Sequence, residues 1–349
     1  MPDRGPVLLG GHSDDKHRDD EQDELADLVD RAVEASGDAA AALDLAGSVG
    51  MQLPVPGSGG TAHLWSALAS VAAVDLTVAR TLEPHLDALA ILDQAGRTPE
   101  PGTWGVFAAE GPGEPLRAEP RGDHHVLDGR KHWCSLGGSL DRALVSAWVG
   151  DERQLFAVDL TQPGATAVAG TWVARGLTAV DSGPIDFADA TAYAVGEPGW
   201  YLERPGFAWG GIGVAAVWFG GAVGVARRMV RAAGTRLPDQ VALMHLGAAD
   251  AALHAAGSVL ARAAHDVDAG RLTGADGWRA ALRVREVVAL AAEDVLSRAA
   301  HGLGPGPLAT DEDHARRVAD LQLYLRQWHA ERDQAALGEQ LLQHGARGW

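Results

Sequence analysis

The chain's chemistry-bearing residues fall into a few short groups. Thr310-Asp311-Glu312-Asp313-His314 follows the breaker run Gly304-Pro305-Gly306-Pro307 and reads as a helix start, with a capping hydroxyl and acids placed well against the helix dipole. His85 and Asp87 offer a nitrogen base and a carboxylate, but two residues apart on a helix they do not face one another, so a buried or capping role is expected. His124-His125 has no companion at metal-ligand spacing and reads as strand surface, so no metal is expected. Trp133, Cys134 and Ser135 follow an Asp128-Gly129 pair, which supplies the backbone angles of a tight hairpin and places Trp133 on its returning strand. Trp133 is either a core aromatic or a platform for a flat ligand. Ahead of it, Glu110-Gly111-Pro112-Gly113 ends a strand in a loop where backbone can come close to a ligand.

Most of the remaining chain is helical. Leu25, Leu28, Val29, Ala32 and Val33 recur at helical spacing, two further helices are expected over residues 61–82 and 85–94, and Leu45 to Gly60 is expected as the connection before them. Strands are expected over Gln154 to Leu160 and Gly183 to Asp189. Beyond Gly206 the pattern is helical to the end, with helices over residues 240–268, 277–300 and 311–344. Gly and Pro between His301 and Pro307 separate the last two.

The 349 residues are enough for two or three packed subdomains. A net charge of −18 and a pI of about 5.1 exclude a phosphate-backbone partner. One cysteine excludes an intramolecular disulfide framework, and a reducing cytoplasm fits it. Residues 1–22 read as a flexible acidic leader. Pro205 to Ala226 carries no charge over a length that could span a bilayer. Its seven glycines and its continuation into Arg227-Arg228 favour a loop feeding a buried helix, and no membrane is expected.

The stretch from Trp104 to Trp148 resembles the middle domain of the acyl-CoA dehydrogenase family of flavoproteins. There a Thr-Glu-Pro-Gly-type loop precedes a Gly-x-Lys-x-Trp-x-Thr/Ser strand that packs on the flavin. Glu110-Gly111-Pro112-Gly113 and Gly129-Arg130-Lys131-His132-Trp133-Cys134-Ser135 match them. The resemblance implies that Trp133 lies against the isoalloxazine of FAD, that the Ser135 hydroxyl donates to its redox-active nitrogen, and that Glu110, Gly111 and Gly113 shape the loop over it. Val71 to Arg80 is similar to the family's N-terminal bundle, and Phe219 to Ala226 to the first long helix of its C-terminal four-helix bundle. The fold this implies is α+β, mostly α: an N-terminal helical domain (23–100), a middle β domain (101–200) and a C-terminal bundle (201–349).

The resemblance also implies a reaction, the FAD-dependent α,β-dehydrogenation of an acyl thioester to its 2,3-enoyl form. Such chemistry needs a carboxylate base in a dry pocket, where burial raises its pKa. Counting back from Ala319-Asp320 places Asp311 on the base position, with Glu312 as the alternative; capping remains the competing role for both. The family's Glu-Gly-Thr falls on Trp328-His329-Ala330, making His329 a candidate on the active-site side of the last helix. A histidine there fits the flavin-dependent monooxygenases of the same fold. The family's Arg-x-x-Phe-Gly segment has no counterpart in residues 232–240, which also admits a degenerate subunit working beside a paralogue. A homodimer or homotetramer acting on a small molecule is the assembly the resemblance implies.

Overall fold

The computed structural model describes residues 5–10, 15–235 and 237–345, and for residues 15–20 the backbone alone. The expected acidic leader lies in part outside the described residues; from Asp15 it is helix, α1 (Asp15–Glu34). Helix α2 (Ala39–Val49) starts at Asp38, whose carboxylate accepts from the Ala40 and Ala41 amides, so helix takes up the beginning of the expected connection. Helices α3 (Thr61–Val74) and α4 (Leu76–Gln94) meet at Asp75 rather than near Pro84. Asp75 is extended, and its carboxylate accepts from the Val78 amide at 3.1 Å, which starts α4 there. Pro84 then sits inside α4, where its missing N–H leaves the Arg80 carbonyl without a helical donor.

Seven strands follow: β1 (Trp104–Phe107), β2 (Arg117–Arg121), β3 (His124–Lys131), β4 (Arg142–Val149), β5 (Glu152–Asp159), β6 (Ala165–Ala167) and β7 (Ile185–Val195). The pairings close in the ring β4-β2-β3-β7-β5-β4, with β1 beside β4 and β6 beside β7. The hairpin does not turn at Asp128-Gly129. It turns at Gly122-Asp123, between β2 and β3, where Gly122 has φ +71. Asp128-Gly129 lies within β3 at a register shift against β7, and Gly129, at φ +121, supplies the bulge. The positive φ expected of this pair is present, but it bends a strand instead of reversing it.

The C-terminal part holds α5 (Trp200–Glu203), α6 (Pro205–Thr235), α7 (Gln240–Asp268), α8 (Gly274–Leu303), α9 (Gly306–Thr310), α10 (Glu312–Tyr324), a 3₁₀ turn over Leu325–Gln327 and α11 (Glu331–His344). The single helix expected over residues 311–344 is therefore broken at Trp328 to Ala330, where Ala330 takes φ +48. Helix α6 is helical from Pro205 itself, a position where the missing N–H costs nothing. It is long and apolar enough to cross a membrane, yet 72% of its most apolar window is buried, packed between α3 and α8.

Glycine permits that packing. A Cβ on Gly220 would stand 2.1 Å from the Ala69 carbonyl oxygen of α3, so the two backbones touch. Gly220→Ala should lower stability by about 1–3 kcal/mol through overpacking, read as a fall in the thermal or urea midpoint.

Candidate active site

Two regions meet along α4: the turn after β3 and a cavity among the helices. Lys131, at the end of β3, is buried, and its ammonium donates to Ser146 Oγ at 2.9 Å and Glu110 at 3.3 Å. Burial lowers its pKa and Glu110 works against that. Arg153 also reaches Glu110 at 3.3 Å and donates to the Ala108 carbonyl at 2.6 Å. Glu110 is thus a strut that fixes its loop from below. A Cβ on Gly111 would meet the His132 ring at 2.3 Å, so the same loop lies directly against the turn; Gly113, at φ +93, has open space around it.

Trp133 has φ +62 and is 56% exposed, so the core-aromatic role does not hold. An aromatic held out in the left-handed region has no packing reason for its place and offers an open ring face. Ser135 is buried. Arg80 donates to its hydroxyl at 3.0 Å, and its hydroxyl lies 2.8 Å from that of Ser182, which donates in turn to the Val180 carbonyl. With Ser182 committed as a donor, the Ser135 proton goes to Ser182, and its donation elsewhere requires the hydroxyl to turn.

Arg80 links this turn to the helices. Its guanidinium lies 3.8 Å from Glu83 and 5.4 Å from the centre of the Tyr324 ring, and the Tyr324 hydroxyl donates to Glu83 at 3.3 Å. The path Ser135–Arg80–Glu83 ends at a cavity of about 250 Å³ lined by α4, α5, α6, α8 and the break before α11. Burial pushes the Glu83 carboxyl up to about 7; Arg80 opposes the rise and Asp87 adds to it. Asp87, also on the cavity wall, is raised by burial, while Arg204 at 3.8 Å pulls it down. Arg285 donates to the Gly211 and Gln327 carbonyls at 2.9 and 2.8 Å and lies 4.6 Å from the Trp218 ring centre. It ties the 3₁₀ turn to α6 and so holds the chain break in place.

That break carries His329 to the cavity. Its Nδ1 lies 3.3 Å from Asp333, which also lines the cavity and accepts from the His329 amide at 3.2 Å. The His329 side chain is 64% exposed, so the pair sits at the mouth.

Asp311 sits elsewhere. It caps α10, accepting from the His314 amide at 3.2 Å, and pairs with Arg228 at 2.8 Å. Burial works to raise its pKa, but Arg228 and that amide outweigh it and hold the carboxyl below the usual range. Asp311 and Glu312 are not among the residues lining the cavity, and Glu312 is exposed in the first turn of α10. Asp311→Ala should cost about 1–2 kcal/mol of stability as a lost cap and leave turnover within twofold of wild type, compared by urea midpoint and kcat. His85 is buried, with Nδ1 accepting from the Trp104 amide at 3.1 Å, and burial pushes it down to about 4, so it stays neutral and structural. Among the described residues no cluster of metal-ligating side chains occurs.

Sequence reasoning passed over Arg80, Glu83, Tyr324 and Arg285. A signal was present: Arg80, Glu83 and Asp87 stand at i, i+3 and i+7, along one face of α4. Those three on the buried side of α4 are what a polar site inside a core looks like from sequence.

No family model and no curated protein matches the chain. Solved structures do. The chain has the acyl-CoA dehydrogenase fold: it superposes on butyryl-CoA dehydrogenase from Megasphaera elsdenii with a TM-score of 0.80 at 18% identity, covering 96% of this chain and 100% of that one. It is similar to TdsC from Paenibacillus sp. A11-2, solved with FMN and indole, with a TM-score of 0.80 at 18% identity over 94% of this chain and 98% of that one; another structure of that protein describes it as a dibenzothiophene monooxygenase. KijD3, in complex with FMN and a dTDP-linked amino-keto sugar, gives 0.78 at 18% identity over 99% and 97%.

Proposed function

We propose that the protein is a flavin-dependent oxidoreductase acting on a small molecule held in the cavity beside Glu83. The observation that carries this is the unbroken polar path from Ser135 through Arg80 to Glu83, which joins the exposed Trp133 turn to that cavity. The residues fit a flavin. Trp133 supplies an open ring face, Ser135 a hydroxyl, and the loop from Glu110 to Gly113 is pinned against the turn from beneath. A flavin bound there supplies hydride acceptance or, when reduced, reaction with oxygen. FAD is the form the sequence resemblance implies, and structures of TdsC and KijD3 hold FMN; chromatography of the released flavin decides between them.

The protein's own residues handle the proton. Glu83, buried and poised near neutrality, can give or take one at the substrate; Tyr324 and Arg80 fix its direction. Arg285, by holding the break, keeps His329 and Asp333 at the mouth.

Monooxygenation is the reaction this arrangement favours, because the break before α11 carries a His–Asp pair, His329 and Asp333, at the mouth of the cavity. The second reading, dehydrogenation of an acyl thioester, is favoured by one observation: Glu83 has the raised pKa that abstraction of a weakly acidic proton needs. Oxygen uptake separates the two. The reduced flavoprotein, given a small aromatic substrate, should consume oxygen and yield an oxygenated product. Anaerobic bleaching of the oxidised flavin by an acyl thioester, with no oxygenated product from any aromatic tried, would move the assignment to the second reading.

A further inference from the structure

The cavity's walls are of two kinds. One is aromatic: Tyr201 meets Phe207 edge-on at 5.5 Å, and Phe207 stacks on Trp278 at 6.0 Å and 30°. Trp278, 36% exposed, stands at the surface end of this run. The other wall is charged, and most of its groups have partners, although the buried Arg204 Nε has none. Arg204 lies against Asp87, Arg285 donates to two backbone carbonyls, and Glu83 has Arg80 and the Tyr324 hydroxyl. Size fits an aromatic ligand: an enclosed cavity of about 150 Å³ takes benzene, and the space of about 250 Å³ here, open at its His329 mouth, has room for one or two fused rings.

A carboxyl on the charged wall can meet a polar atom on such a ligand. Glu83 is the carboxyl on the wall whose proton is not committed, since Tyr324 donates to it and Arg80 is 3.8 Å away. We propose that the cavity binds a planar aromatic molecule of one or two rings, and that Glu83 reads its polar atom, donating to an acceptor when protonated and accepting from an N–H or O–H when ionised. This deepens the proposed function and rests on the cavity being its substrate site.

The groups around Glu83 set the sign. On its own helix Arg80 favours the ionised form and Asp87 the protonated one; from α10 the Tyr324 hydroxyl favours ionisation, as does Arg285 from α8. His329 and Asp333, on the α11 side, and Arg204 with Tyr201, on the α5 side, line the same cavity. Burial outweighs the partners, so the switch falls near neutral pH.

Two probes of one shape and opposite polarity test this: quinoline, an acceptor, and indole, a donor, titrated calorimetrically into the flavin-loaded protein at pH 6 and pH 9. Quinoline should bind about tenfold more tightly at pH 6, and indole about tenfold more tightly at pH 9. In Glu83→Gln, whose amide both donates and accepts at every pH, both probes should bind with flat profiles. Equal pH profiles for the two probes in wild type, or opposed profiles that survive in Glu83→Gln, would overturn the role of Glu83 while leaving the cavity as the ligand site. Binding of neither probe at any pH would instead remove the cavity reading, and this proposal with it.

Discussion

Glu83→Gln should lower turnover by about 10²- to 10⁴-fold, the range for losing a positioned acid or base, while the purified variant keeps its flavin. Glutamine holds the shape and can accept the Tyr324 hydrogen bond, so the loss reports the proton and not the packing. The argument rests on three features of one residue. Glu83 is buried, its pKa of about 7 leaves both forms populated at neutral pH, and it lines the cavity at the end of the path from Ser135. Neither Asp311 nor Asp87 combines them. Asp311 is ionised by its pairing with Arg228, and Asp87 is matched to Arg204. A Glu83→Gln enzyme within threefold of wild type would place the proton transfer elsewhere, with His329 the next residue to replace.

The same carboxyl should govern how stability depends on pH. Its folded-state pKa is raised from 4.5 to about 7, so the folded protein holds a proton that the unfolded chain releases within that window. The contribution is fully present below pH 4.5 and is lost as pH rises through 7; the window corresponds to about 3 kcal/mol. Other groups overlap it. Asp320, raised by burial to about 6, acts in the same direction, and His85, lowered to about 4, acts in the opposite one because the unfolded chain binds its proton first. The quantity to measure is therefore the difference between wild type and Glu83→Gln in urea denaturation at pH 4 and pH 8, in which the shared groups cancel. The variant should gain about 3 kcal/mol on wild type between the two pH values. A constant difference would mean that Glu83 titrates normally in the folded state.

The order of helices, strands and helices was legible in the sequence because each part carries its own periodicity. The punctuation was harder to place. Asp75 stops α3 by capping α4, a side-chain contact that outweighs the Pro84 signal, which is absorbed within α4. Asp128-Gly129 has the chemistry of a turn, but β7 pairs across it and turns it into a bulge. The break before α11 depends on Arg285 and Glu286 of α8, which bind Gln327 and Trp328, so nothing local announces it. Trp133 lies in the turn after β3 and not on a returning strand, because the hairpin turns at Gly122-Asp123 instead, and His329 reaches the cavity for a reason the helical reading did not contain. Asp311 illustrates the limit of counting along a chain: position in the loop suggested a base, whereas the residue's partners make it a cap and an ion pair. The spacing of Arg80, Glu83 and Asp87 marked one face of α4, but the character of the Glu83 carboxyl comes from the elements packed over it.

The most direct test of the account is the visible absorption spectrum of the purified protein, followed by denaturation and identification of what is released. A flavin near one per chain, or its uptake from added FMN or FAD, is the predicted result, with Trp133→Ala losing most of it. A colourless protein that takes up neither flavin would contradict the account and leave the fold without the chemistry proposed for it.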